Sequence, residues 1–318
     1  MVLSFSLLYL LGGVYLGWSL GANDTANVFG TAVASRMVRF GTAAALSSIF
    51  VFIGAWFEGQ AGIETITALS GQTLQSATLT AVSAAISITV MTLLRIPSST
   101  SQAVVGSLIG VGMFGGDLNL DGLPKVVLCW IGTPIGALLV AALLYRVLGK
   151  GMNRWQPNMF VQDQVLRVGL VLSGCYGAYA LGANNVANVT GVYHAAGMLT
   201  VPQAVMVGGV SIALGVITYS KPVMMTVGRS IVRLDAFSSL IVVLAEALTV
   251  HFYAWVGVPV STSQAVVGAV VGVGLLEQAN AVRGVVLLRI GLGWLATPII
   301  AFGFAVALHY VTHLQYVP

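Results

Sequence analysis

The octapeptide Ser99-Thr-Ser-Gln-Ala-Val-Val-Gly106 returns without change as Ser261 to Gly268, each copy preceded two residues earlier by a proline, Pro97 or Pro259. Gly21-Ala-Asn-Asp-Thr-Ala-Asn-Val28 likewise returns as Gly182-Ala-Asn-Asn-Val-Ala-Asn-Val189, and Trp130-Ile-Gly-Thr-Pro134 as Trp294-Leu-Ala-Thr-Pro298. The displacements are 162, 161 and 164 residues, in one order. Self-similarity of this kind marks a tandem duplication. The expected division is a first transmembrane repeat over 1–149, a linker over 150–162 and a second transmembrane repeat over 163–318.

The setting of these polar motifs decides what the repeats are. Hydrophobic residues make up 58% of the 318 positions and charged ones 7%, with a mean hydropathy of +0.96. A soluble domain carries about 25% charged residues. The composition excludes disorder, coiled coil, collagen and a small disulfide scaffold, and points to an all-α integral membrane protein. Cys129 and Cys175 lie in apolar runs without CxxC spacing and read as inert packing residues. The net charge of +4 is concentrated where Arg146, Lys150, Arg154 and Arg167 flank the polar stretch from Gly149 to Gln164. Short loops rich in Lys and Arg stay in the cytoplasm, so the linker is placed there, in a multi-pass protein of the cell (inner) membrane. These cations sit at segment ends and not on a basic face with stacking aromatics, which argues against a nucleic-acid partner. Met1 to Leu20 has no basic n-region or small-residue cleavage site and reads as a retained helix.

Each repeat reads as the same series. In the first, Leu3–Leu20 is a helix interrupted by the polar Asn-Asp-Thr-Ala-Asn and followed by a short piece over Val28–Ser35; apolar stretches follow at Thr42–Phe57 and Thr73–Leu94. A Pro-Ser-Ser-Thr-Ser-Gln break then leads to the glycine-spaced run Ala103–Phe114 and a last span over Leu123–Leu148. The second repeat has spans near Gln164–Leu181, Val201–Tyr219, Phe237–Val256 and Val282–Val311. Irregular backbone at membrane depth is tolerated only inside protein or beside an aqueous cavity, so the paired breaks point to one central site between discontinuous or re-entrant half-helices. An inverted relation of the repeats, with the amino terminus outside, is the favoured topology.

The residues at the breaks suit two kinds of ligand. Asn23, Asp24 and Asn27, with Asn184, Asn185 and Asn188, bring carboxamide and carboxylate oxygens, the donors that a sodium ion takes, with Na+ expected at Asn23, Asp24 and Asn184. Asp24 alone brings a charge, and an intramembrane ionisable residue marks a functional site by default; helix-to-helix hydrogen bonding is the bland alternative for the asparagines. Ser99, Thr100, Ser101 and Gln102, and their copies Ser261, Thr262, Ser263 and Gln264, begin a helix after a proline. They offer backbone N–H groups, hydroxyls and a carboxamide at its positive end, a cradle of neutral donors for an oxyanion. Ordinary N-capping by one Ser or Thr is the alternative.

Duplicated Gly-Ala-Asn-Asp and Pro-x-Ser-Thr motifs, over most of both halves, resemble the PiT inorganic phosphate transporters and their sulfate-permease (CysP-type) branch. The resemblance implies a helical membrane bundle of two inverted repeats with discontinuous helices, moving an oxyanion by cation-coupled symport. Asn23, Asp24, Asn27, Asn184 and Asn188 resemble its cation signature, and the two Ser-Thr-Ser-Gln segments its anion site. It also implies a homodimer, and no cofactor beyond the coupling ion. This chain departs from the family at Asn185, where a second aspartate is usual, at Gln102 and Gln264, where histidine is usual, and at Val243, where an acid is usual, with Glu246 one turn away. A phosphate P–OH needs an acceptor, ideally a carboxylate, whereas sulfate has no proton to donate. The loss of acids favours sulfate, with phosphate as the alternative; Na+ is the favoured coupling ion, with H+, carried by Asp24 or Glu246, as the other.

Competing classes are weaker. A channel would also use broken backbone and hydroxyl rings, but paired repeats around one site favour alternating access. An enzyme is not indicated, because HExxH, GxSxG and P-loop motifs are absent. His309 and His313 have i, i+4 spacing without a third ligand and read as an interfacial face. His194 and His251 read as hydrogen-bonded structural residues, His251 with Glu246 as its expected partner; Glu58, Glu64, Asp117 and Asp121 are expected in solvent-facing loops.

Overall fold

The computed structural model describes residues 2–69, 71–94, 98–115, 118–155, 158–230, 234–277 and 284–314. Its elements are all helices: α1 (Val2–Ala34), α2 (Phe40–Glu58), α3 (Gln60–Leu69), α4 (Leu74–Leu93), α5 (Thr100–Gly115), α6 (Leu123–Trp155), α7 (Met159–Ala195), α8 (Val201–Ser230), α9 (Ala236–Val256), α10 (Thr262–Glu277) and α11 (Gly284–Leu314). Among the described residues seven helices, α2, α4, α6, α7, α8, α9 and α11, are long and apolar enough to cross a bilayer. The 16-residue helices α5 and α10 are about 24 Å long, short of the roughly 30 Å hydrocarbon layer. They are the half-helices expected after the proline breaks. Pro97 and Asp117 lie outside the described residues.

Three features depart from the sequence expectations. α1 and α7 run unbroken through their Gly-Ala-Asn motifs, so the only breaks in the described repeat helices that carry motifs stand in front of α5 and α10. Asn and Asp weaken helices when their side chains compete for the local backbone; here those side chains bond across to other helices, which removes the competition. The linker expected over 150–162 is largely helical, since α6 continues to Trp155 and α7 starts at Met159. Asn158 sets that start, its Oδ1 accepting the Val161 N–H at 2.9 Å. The short helix α3, packed on α7, has no forecast in the apolar pattern.

The two repeats are interleaved. α1 packs along α8 and α2 along α7; α5 lies on α11 and α10 on α6. The closest crossings come in matched pairs. A Cβ built on Gly21 would lie 2.0 Å from the Ile212 carbonyl oxygen, and one on Gly182 would lie 1.9 Å from that of Val51. The same holds for Gly54 against Tyr179 (1.9 Å) and Gly215 against Trp18 (2.0 Å), and for Gly106 against Pro298 (2.3 Å) and Gly268 against Pro134 (2.1 Å). No side chain fits at such approaches, which explains why glycine stands at both members of each pair. The last pair also explains the third sequence echo: the proline of each Trp-x-x-Thr-Pro segment supplies the carbonyl on which the other repeat's half-helix rests. The two copies of the motif helix run antiparallel, for the Gly13 N–H meets the Tyr193 hydroxyl at 2.9 Å while the Phe29 ring lies on Gly174.

Candidate functional site

Antiparallel α1 and α7 bring their polar motifs to the starts of both half-helices. Asn27 on α1 donates through Nδ2 to Thr262 Oγ1 at 3.3 Å and to Ser263 Oγ at 3.1 Å, at the start of α10. Its counterpart Asn188 on α7 donates to Ser101 Oγ at 3.0 Å, at the start of α5, and to Asn185 Oδ1 at 2.9 Å. Each motif helix therefore holds the half-helix of the opposite repeat. Asp24, buried at 3% exposure, accepts from Thr100 Oγ1 at 3.5 Å and is hydrogen-bonded by Thr262 as well, so one carboxylate touches both helix starts. The Ser101 hydroxyl donates to the Val260 carbonyl at 3.1 Å, which closes the ring.

The helix starts themselves are built alike. Ser99 Oγ accepts the Gln102 N–H at 3.3 Å, and Ser261 Oγ accepts the Gln264 N–H at 3.2 Å. The capping alternative is therefore realised for these two serines, whose hydroxyl protons stay available to a ligand. The first intrahelical bonds are Ala103 N–H to Ser99 and Ala265 N–H to Ser261, so the N–H groups of Thr100, Ser101, Thr262 and Ser263 precede the helical ladder. Two positive helix ends thus meet inside the protein, where an anion is favoured over water.

Not every expected ligand joins. Asn23 is only half-buried and donates to Thr92 Oγ1 on α4 at 2.7 Å. Asn184 is tied to the Val260 backbone in both directions, giving Nδ2 to its carbonyl at 2.8 Å and taking its N–H on Oδ1 at 2.9 Å. Asn23 fastens α1 to α4, as the bland reading of the asparagines has it, whereas Asn184 holds the non-helical Val260 in front of α10, whose carbonyl also takes the Ser101 hydroxyl. Among the described residues, the buried side-chain atoms without a hydrogen-bond partner include Gln102 Oε1, Gln264 Oε1, Asn188 Oδ1, Asn185 Nδ2 and Glu246 Oε2. Buried polar atoms without partners are rare in folded proteins and ask for a ligand.

Glu246 on α9 is 2% exposed and close enough to Asp24 for the two carboxylates to repel. Two buried carboxylates without a fixed counter-charge hold both charges only with a cation between or beside them. The signal in the sequence was an intramembrane acid in a repeated helix, with Ala84 at the matching position 162 residues earlier. The pairing of Glu246 with His251 does not occur: His251 bonds Glu58 and Tyr176. Glu58 ends α2 and does not sit in a free loop, and Glu64 lies in α3, bonded by Gln60. Asp121 is exposed between α5 and α6, as expected. His194 bonds the Leu199 carbonyl at 2.8 Å, a helix-end role. His309 stacks on Phe114 at 4.1 Å. Among the described residues no group of three His, Cys, Asp or Glu is placed to hold a metal, and Cys129 and Cys175 are both free thiols.

The model of the phosphate transporter family matches residues 20–305. A protein of Methanocaldococcus jannaschii that bears the name of a phosphate permease is 32% identical over 295 residues, covering 92% of this chain and 93% of its own length. The Bacillus subtilis protein named sulfate permease CysP is 27% identical over 308 residues, covering 93% of this chain and 85% of its own. Among solved structures, one named as the sodium-dependent phosphate transporter superposes with a TM-score of 0.85 over 98% of this chain and 99% of that one, at 23% identity, a likeness of fold.

Proposed function

The chain belongs to the phosphate transporter family, and from that premise we propose that it is a secondary transporter carrying an inorganic tetrahedral oxyanion across the membrane with a monovalent cation. The observation that carries this reading is the crossed pair of bonds, Asn27 to Ser263 and Asn188 to Ser101, which brings two positive helix starts to one buried place. The oxyanion lies between Thr100, Ser101 and Gln102 on one side and Thr262, Ser263 and Gln264 on the other, with Ser99 and Ser261 as caps that also donate. The coupling ion is Na+, taken by Asp24 with the unpaired oxygens of Asn188, Gln102 and Gln264; the sodium dependence for which the transporter of similar fold is named supports this choice. The repeats, 1–149 and 163–318, are related by inversion across the membrane, a reading supported by antiparallel α1 and α7 and by the reciprocal glycine crossings. Inversion lets the two halves exchange conformations and open the same site to either side.

Sulfate is the substrate favoured by the residues. Asn185, Gln102 and Gln264 present no titratable group, and the Bacillus subtilis relative carries a sulfate permease's name. One observation favours phosphate as a second reading: Asp24 sits at both helix starts, where it can accept from a P–OH, and the Methanocaldococcus jannaschii relative is named for phosphate. Uptake of labelled sulfate and labelled phosphate into proteoliposomes, under an inward sodium or an inward proton gradient, separates the cases. Sulfate uptake driven by sodium and not diluted by excess phosphate is the expected result. Phosphate uptake with sulfate inert would replace the substrate, and uptake driven by protons alone would replace the ion.

A further inference from the structure

The two half-helix starts are held by matching bonds, Asn27 to Ser263 and Asn188 to Ser101, but the segments in front of them are not held alike. α5 packs back on α4 and α10 on α9, so each pair forms a hairpin. Ser98 and Val260 stand in the non-helical segments at the two tips, just ahead of the motif helices. Three side chains fasten the α9–α10 tip. Asn184 on α7 grips the Val260 backbone in both directions, at 2.8 and 2.9 Å, and Ser101 Oγ donates to the Val260 carbonyl at 3.1 Å. Trp130 Nε1 on α6 donates to the neighbouring carbonyl, that of Pro259, at 3.4 Å.

The duplication allows each of these ties to be looked for on the other tip. By displacements of 161, 162, 162 and 164 residues, the copies of Asn184, Val260, Ser101 and Trp130 are Asn23, Ser98, Ser263 and Trp294. Among the described residues none of the three ties recurs. Asn23 turns instead to Thr92 Oγ1 on α4 at 2.7 Å, a resting place denied to Asn184, because the copy of Thr92 is Ala254. Ser263 accepts from Asn27 and makes no bond to Ser98. Trp294 Nε1 is buried without a partner, and so is Ser98 Oγ. The close glycine crossings nevertheless match between the repeats, so the surrounding helices keep the pseudo-symmetry that the tips break.

We propose that Asn184, Ser101 and Trp130 form a latch on the α9–α10 tip, that Asn23, Ser263 and Trp294 form its copy on the α4–α5 tip, and that the two close in alternation, the first being closed and the second open in this structure. A buried donor left unpaired costs about as much as a lost hydrogen bond. If both latches could close together, Trp294 and Ser98 would not stand idle; closing one tip therefore opens the other. Resting as it does on the reading of two inverted repeats that exchange conformations, the latch defines the exchanged state: Asn23 leaves Thr92 for the Ser98 backbone, and Ser263 donates to the Ser98 carbonyl. Ser101 joins the latch to the substrate. Its single proton serves one acceptor, so an oxyanion that takes it leaves the Val260 carbonyl with Asn184 alone, and loading the site loosens the closed tip. Asn184, Asn23, Trp130 and Trp294 are positioning residues, which set the side from which the site is shut.

Two matched distances test the alternation. Nitroxide pairs at Leu11 with Leu94, and at Leu172 with Val256, occupy copied and exposed positions that relate each motif helix to the hairpin of its own repeat, with Cys129 and Cys175 replaced by alanine. In the unaltered protein the two distance distributions are expected to differ, and a variant that favours the exchanged state is expected to swap them. Asn184→Ala removes both bonds to Val260 and raises the ratio of the exchanged to the present state by about tenfold. Thr92→Val, which frees Asn23, and Trp130→Phe, which removes one donor, raise it by about threefold each, and the three together by about 100-fold. Added to that triple variant, Trp294→Phe removes a donor that is idle here and used in the exchanged state, so it lowers the ratio by about threefold, as a tryptophan that only fills space would not. Thr92→Val with Trp130→Phe keeps the side-chain shapes and carries the same test at about tenfold if Asn184→Ala does not fold. Distributions that stay as in the unaltered protein in these combined variants, or a shift in one pair without the reverse shift in the other, overturn the inference. Substrate is absent throughout, so the outcome is independent of uptake, by which the transport reading stands or falls.

Discussion

Asp24→Asn is expected to abolish ion-driven uptake of the oxyanion, with initial rates reduced by at least about 100-fold in proteoliposomes under an inward sodium gradient. The substitution keeps the shape and leaves an oxygen for the Thr100 and Thr262 hydroxyls, so the two helix starts remain joined. What it removes is the one carboxylate that touches both of them. Taking one member from a buried charge pair costs about 3–5 kcal/mol, which is at least about two powers of ten in binding. The purified variant is expected to keep the melting temperature of the parent in the absence of sodium and to lose the sodium-dependent part of its stabilisation. Sodium-driven uptake at normal apparent affinity in Asp24→Asn would remove Asp24 from the cation site.

Ser101→Ala and Ser263→Ala are expected to raise the apparent KM for the oxyanion by about 10-fold each, and by about 100-fold together, with the direction of coupling unchanged. Each substitution deletes a hydroxyl at a helix start and leaves the Nδ2 of Asn188 or Asn27 without that acceptor. A hydrogen bond to a charged group contributes about 1.5–3 kcal/mol, the range from which the tenfold figure comes. The asparagine contacts match, 3.0 Å on one side and 3.1 Å on the other, while the Ser101 hydroxyl also donates to the Val260 carbonyl, a bond that the oxyanion displaces on binding. Steady-state uptake over a concentration series reads both. A large loss in one with none in the other would show that only one half-helix faces the substrate.

The duplication, the membrane setting and the two half-helices were legible because they rest on local signals: exact repetition, long apolar runs and a proline in front of four polar residues. The paths of α1 and α7 were not. An Asn-Asp-Thr-Ala-Asn segment reads as a break when only local competition is considered. Asn27 and Asn188 instead bond residues 235 and 87 positions away, and that leaves the helix intact. The same distance effect takes Asn23 to Thr92 on α4 and Asn184 to the Val260 backbone in front of α10, contacts that no sequence spacing announces. His251 had an acid within a helical turn and a half, Glu246, but its actual partner is Glu58, 193 residues earlier. The third echo, Trp-x-x-Thr-Pro, was visible as a repeat without a use until the close approach of Gly106 to Pro298 and of Gly268 to Pro134 gave it one.

Whether one oxyanion sits between the two half-helix starts is decided by a structure of the protein with sodium and selenate, a tetrahedral dianion located by its anomalous signal. A single selenium peak is expected within hydrogen-bond reach, through its oxygens, of Thr100, Ser101 or Gln102 and of Thr262, Ser263 or Gln264. A peak bound to one segment alone, or placed elsewhere in the bundle while both starts remain closed on each other, would contradict the shared site.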